Sequence, residues 1–231
     1  MVAGFIGFLA GQILGVVGDL VGVAVTHYPG GLTALGTASY PPWWSNALGL
    51  TGLWIGFAAA IYFASHEGKL RSLPHQWRPR WSDLSFIALG VVCQLVIDLL
   101  YAPFHLTSLN KPVHHLFNSA HGPGFVLIAF MTTVLAPFFE EWLFRGVLYR
   151  AIAEGATGVA RRRAVVWGVL VSAALFGLAH GEPLQFAGLF LFGIVLALLV
   201  WRTKRLMPSF LTHVSFNAVA LAAVIGQRTG H

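Results

Sequence analysis

The chain has 231 residues, 57% of them hydrophobic and only 10% charged, with a formal net charge of +6. That is not the make-up of a water-soluble globule, in which about a quarter of residues are charged, and it is far too apolar for a disordered chain. A single cysteine, Cys93, excludes an intrachain disulfide framework and a Cys-rich metal site. The cations lie between apolar runs, which speaks against a nucleic-acid partner.

A hydrocarbon core about 30 Å thick takes about 20 mostly apolar residues as helix, since every backbone N–H and C=O must be satisfied within the segment. Seven stretches qualify, near residues 2–26, 46–65, 83–104, 123–150, 164–180, 184–201 and 207–226. The expected fold is therefore all-α: a polytopic transmembrane bundle of seven spans, forming one integral membrane domain over residues 1–231. The first run has no basic leader and no small-residue cleavage pattern before a polar chain, so it reads as a retained span. Its glycines Gly4, Gly7, Gly11, Gly15, Gly18 and Gly22 read as a close-packing face, with Asp19 a hydrogen-bonding group beside them. The segment from Thr26 to Trp44, punctuated by Pro29, Gly30, Gly31, Pro41 and Pro42, reads as a folded surface loop. In the third span Asp98 is a candidate partner for Gln94 or for a site. His105, His114, His115 and His121 follow; without paired Cys or carboxylates they read as solvated rather than metal-binding.

Basic residues collect in loops left on the cytoplasmic side. Lys69, Arg71, Arg78 and Arg80 follow the second span, Arg150 and Arg161 to Arg163 the fourth, and Arg202, Lys204 and Arg205 the sixth, together eleven of the fourteen. This places the N-terminus inside and the C-terminus outside. Trp43, Trp44, Trp77, Trp81 and Trp201 lie near span ends and are expected as interfacial anchors.

An ionisable group within the bilayer needs a partner or a purpose. Away from the span ends there are seven: Asp19, Asp98, Glu140, Glu141, Arg145, His180 and His213. On an α-helix the adjacent Glu140 and Glu141 point about 100° apart, and Glu141 meets Arg145 one turn later in the favourable acid-before-base order. Glu140 is then the carboxylate left over, suited to work as a base or acid, with a purely structural charge cluster as the alternative. Phe176 and His180 share one helix face, as do His213 and Asn217. Together these supply a base, two imidazoles and an amide donor, the ingredients for hydrolysing an amide bond.

Glu140-Glu141-x-x-x-Arg145, then Phe176-x-x-x-His180, then His213-x-x-x-Asn217, in that order on separate hydrophobic helices, resembles the CAAX protease and bacteriocin-processing (abortive infection) membrane protein family. The resemblance covers about residues 122–225; the spans within 2–104 match nothing nameable. It implies an intramembrane endopeptidase in which Glu140 and His180 activate water, His213 and Asn217 stabilise the oxyanion, and Arg145 orients the carboxylates, with Glu141 the less certain catalytic group. No cofactor is expected, although Glu140, His180 and His213 would be the ligands if the enzyme used zinc. The expected partners are the lipid bilayer, a peptide or membrane-protein substrate, and in some circumstances a membrane complex; the expected location is a bacterial inner membrane. Prenylated substrates are the less favoured case. The rival readings are a non-proteolytic chaperone, assembly factor or complex subunit, and a small transporter, for which no inverted repeat of broken helices is present.

Depth sets a condition on this reading. At 1.5 Å per residue, Glu140 lies about 15 Å from Arg150, His213 about 12 Å from Arg205 and His180 about 25 Å from Arg163. The three can meet near the cytoplasmic half of the bilayer only if the fifth helix begins below the membrane with Arg161 to Arg163 in its first turns, or tilts by up to about 40°.

Overall fold

The computed structural model describes residues 2–66, 74–106, 109, 111–154 and 158–229. Lys69 and Arg71 lie outside these residues, as does the side chain of His114. All regular structure among them is helical: α1 (Val2–Thr26), α2 (Gly31–Thr37), α3 (Trp43–His66), α4 (Ser85–Tyr101), α5 (Lys111–Phe117), α6 (Gly122–Ala153), α7 (Gly158–Ala179), α8 (Phe186–Thr203) and α9 (Met207–Thr229). Seven stretches are long and apolar enough to cross a membrane, and they coincide with the seven expected spans. The loop between the first two contains the short helix α2, entered through Gly30 and Gly31 at φ of 76° and 63°, where a side chain would be strained.

The glycine face of α1 packs against α3 through backbone rather than side chains. A Cβ on Gly11 would lie 2.7 Å from the Leu53 Cα, and one on Gly52 would lie 2.5 Å from the Gly15 backbone nitrogen. Where lipid is as apolar as any side chain, such close backbone approach is what holds two spans together. Ser45 adds a hydrogen bond of 2.7 Å to Asp19, giving that carboxylate its partner. Gly52→Leu is expected to force the pair apart and to cost about 1–3 kcal/mol, measured as a lower midpoint of thermal unfolding in detergent.

The central element is α6, in which Glu141 and the run Leu143 to Tyr149 are all buried. Its winding departs from the uniform α-helix expected. Met131–Leu135 and Glu141–Tyr149 are π-helical, with α-helical turns between and around them. Pro137 accounts for the first widening: it has no N–H to give the carbonyl of Thr132 or Thr133. The freed Thr132 carbonyl accepts instead from the Asn217 side chain at 2.9 Å.

Loops of like character meet at each end. At one end Arg205 pairs with Asp83 at 2.5 Å and bonds the Arg78 carbonyl, while the Leu206 N–H donates to the Gln76 carbonyl. At the other end Ser119 bonds the Pro41 carbonyl, Gln185 that of Leu109, Tyr101 that of Leu184, and Arg228 those of Phe117 and Ala120. The described basic loops therefore share one end and the less charged loops the other, as the alternation requires. Trp81 is 90% exposed, as an anchor should be. Trp77 is not one: its indole turns inward onto Phe138, Trp142 and Phe210, because the 74–77 turn tucks under the bundle instead of lying along the lipid.

Candidate active site

The Glu141 and Arg145 pair expected from spacing is present, with Arg145 Nη1 2.8 Å from Glu141 Oε1 and both residues fully buried. The guanidinium also donates to the Gly193 carbonyl at 3.3 Å and lies 4.4 Å from the centre of the Phe176 ring. Close approach of α8 to α7, where a Cβ on Gly193 would stand 2.9 Å from the Ala173 Cα, brings that carbonyl within reach. An Arg charge is thus held by a carboxylate, a carbonyl and a ring face in a site without solvent.

Glu141 is the hub of the cluster. Its Oε1 also faces His213 Nδ1 at 3.0 Å, and its Oε2 accepts from the Ser209 hydroxyl. With Nδ1 committed to a carboxylate, the other nitrogen of His213 points at Glu140, Nε2 to Oε2 being 3.6 Å. The two glutamates were expected to face apart, yet both reach one imidazole, because His213 stands between them and meets each with a different ring nitrogen.

α7 starts at Gly158, so Arg161 to Arg163 fall in its first turns, the arrangement that the first of the two routes supposes. At the other end Gly181, at φ 68°, lets the chain leave the helix. The last turn tightens there, with the His180 N–H donating to Gly177 at 3.4 Å, and the Phe176 carbonyl is free to take the His180 ring at 2.8 Å through Nδ1. In the neutral ring that bond puts the hydrogen on Nδ1 and leaves Nε2 as a lone pair. Phe176 joins the two histidines: its ring centre is 4.8 Å from that of His180 and 5.4 Å from that of His213.

Glu140, His180 and Asn217 line one cavity of about 930 Å³. It reaches from Glu140 and Phe144 up to the less charged loops, where Pro41, His115, Leu116, Glu182 and Gln185 border it. Counting residues from the basic flanks gives the site a depth near the cytoplasmic half but does not give the side on which helices part. Asn217 spends one amide hydrogen on Thr132 and has a second for the cavity.

Glu140, His180 and His213 do not form a ligand set as placed: among the described residues no three His, Cys, Asp or Glu side chains are grouped closely enough to hold a metal ion. Among the described residues His105, His115 and His121 form no such group either; His115 packs on Tyr40. Asp98 accepts from Gln94 at 2.8 Å and lines the same cavity. The residue that sequence reading missed is Ser209. Its signal was available, four positions before His213 on one face of α9.

Fold and site together define a polytopic helical membrane protein with a buried acid, guanidinium and imidazole cluster at the floor of an intramembrane cavity. Residues 122–219 match the family described as type II CAAX prenyl endopeptidase Rce1-like, so that this stretch of the chain is similar to the CAAX protease family. All three motifs fall inside the match, while the first three spans lie outside it. No curated protein and no solved structure matches the chain.

Proposed function

We propose that the chain is an intramembrane endopeptidase that hydrolyses a peptide bond with a water activated by Glu140 and His180. The observation that carries this reading is the division of labour between two neighbouring carboxylates. Glu141 is held by Arg145, Ser209 and His213, whereas Glu140, with its side chain 14% exposed, faces the cavity with the edge of His213 beside it at 3.6 Å. A base needs a lone pair within reach of its proton, and of the two it is Glu140 that presents one to the cavity.

A water between Glu140 and His180 gives up a proton to either group and attacks the carbonyl carbon of a peptide lying along the cavity. The proton is then available to the departing amine, so acid and base are the same group used twice. Negative charge gathers on the carbonyl oxygen. In its doubly protonated form His213 donates from Nδ1 to Glu141 and from Nε2 toward that oxygen, and the second amide hydrogen of Asn217 serves the same point. Arg145 touches no substrate; it fixes Glu141, which fixes the His213 ring.

Comparative peptide profiling of membranes from cells carrying the wild type or Glu140→Gln tests the reading. A peptidase leaves uncut membrane peptides that accumulate only in the variant. A scaffold or assembly factor would keep its partner and its phenotype in Glu140→Gln, with the two profiles identical, and that outcome would refute the proposal. Zinc analysis of protein purified without added metal is expected to give well under one ion per chain.

A further inference from the structure

The cavity has a direction, and the direction is opposite to the charge. Its border is made by Pro41, Pro112, His115, Glu182 and Gln185, all from the loops that alternate with the basic ones. Toward the basic loops there is a double seal. Next to Glu140 in the chain, Glu141 is locked to Arg145 and Ser209, all three fully buried and bonded to one another. Next to these the indole of Trp77 sits 4.9 Å from Phe138, 5.6 Å from Phe210 and 6.1 Å from Trp142, filling the space between the 74–77 turn and the helices. The turn is itself tied down by the Leu206 N–H to Gln76 bond. A peptide coming from the basic side would have to break an aromatic cluster and a buried ion pair before it met Glu140.

Positive loops remain on the cytoplasmic side during insertion. We infer that the scissile bond reaches Glu140 from the non-cytoplasmic side, so that the substrate class is a peptide segment exposed on, or anchored in, the outer leaflet. This rests on the peptidase reading of the same cavity, but its test does not. The outer loops are pinned to one another by the Gln185 to Leu109 and Tyr101 to Leu184 bonds, which keeps the mouth a built feature of the fold.

In a Cys93→Ser background, Glu182→Cys and His115→Cys place single thiols at the mouth, and Arg162→Cys places one at the start of α7 on the basic side. Intact cells are treated with a membrane-impermeant maleimide, then permeabilised and treated again. Labelling of both mouth thiols in intact cells, with Arg162→Cys labelled only after permeabilisation, is the expected result. The reverse pattern, or mouth thiols unreactive in both conditions, would overturn the inference. Peptides that accumulate in Glu140→Gln cells should, by the same argument, map to non-cytoplasmic segments; mapping to cytoplasmic ones would contradict it. Reversed labelling leaves the peptidase reading intact, and loss of any Glu140-dependent cleavage leaves the labelling pattern intact, so the two failures are distinguishable.

Discussion

Arg145→Met is expected to remove a large share of the protein's stability. The guanidinium is fully buried, and without it Glu141 keeps its charge in a place solvent does not reach. Breaking a buried ion pair from one side costs about 3–5 kcal/mol, against a total stability of about 5–15 kcal/mol for a folded domain. Ser209 and His213 still donate to Glu141, which softens the loss but does not supply a full positive charge. The double variant Glu141→Gln with Arg145→Met should recover much of it, since a neutral amide can keep both donors company without a buried charge. The measurement is the midpoint of thermal unfolding in detergent for the four proteins of the cycle. A single variant as stable as the wild type would mean that the pair is not isolated from water.

Glu140→Gln should behave in the opposite way. Glutamine has nearly the same shape and can still face His213, so the folded protein is expected to melt with the wild type. It has no basic lone pair for a water proton, and loss of a positioned general base lowers turnover by about 10²–10⁴-fold. Turnover of a membrane peptide identified from the profiling experiment measures this directly. The contrast between the variants carries the mechanism: Arg145→Met loses activity in step with folded protein, whereas Glu140→Gln loses activity alone. Equal turnover by Glu140→Gln and wild type would remove Glu140 from the chemistry.

Much of this was legible in the sequence because the membrane simplifies the physics. A span must be long and apolar, so hydropathy alone located all seven, and loop charge alone separated the two ends. The Glu141 and Arg145 pair was legible because four positions set one helix face. Other features depend on contacts that no local pattern encodes. The first π-helical stretch of α6 follows from Pro137, with the Thr132 carbonyl taken up by Asn217, a residue far away in the chain that meets it only in the bundle. Trp77 read as an anchor because it lies near the end of a span; its inward turn is set by Phe138 and Phe210. Glu140 and Glu141 face apart, as on an isolated helix, and what the sequence pattern does not encode is that His213 lies in the angle between them and meets each with a different ring nitrogen. The side on which the cavity opens could not be read from depth, since depth counts residues along single helices and an opening is a property of how helices diverge.

The convergence of α6 with α7 around one cavity is the claim on which the chemistry depends, and thiol cross-linking tests it most directly. With Cys93 replaced by serine, Glu140→Cys and His180→Cys are combined in one chain and treated in membranes with a short bifunctional thiol reagent. Both cysteines line the same cavity, so an intramolecular bridge is expected, detected by mass spectrometry as a linked peptide pair and absent from either single variant. Two cysteines that are each labelled by a monofunctional reagent but never bridged would place the glutamate and the histidine in separate environments, and no shared water could then serve them.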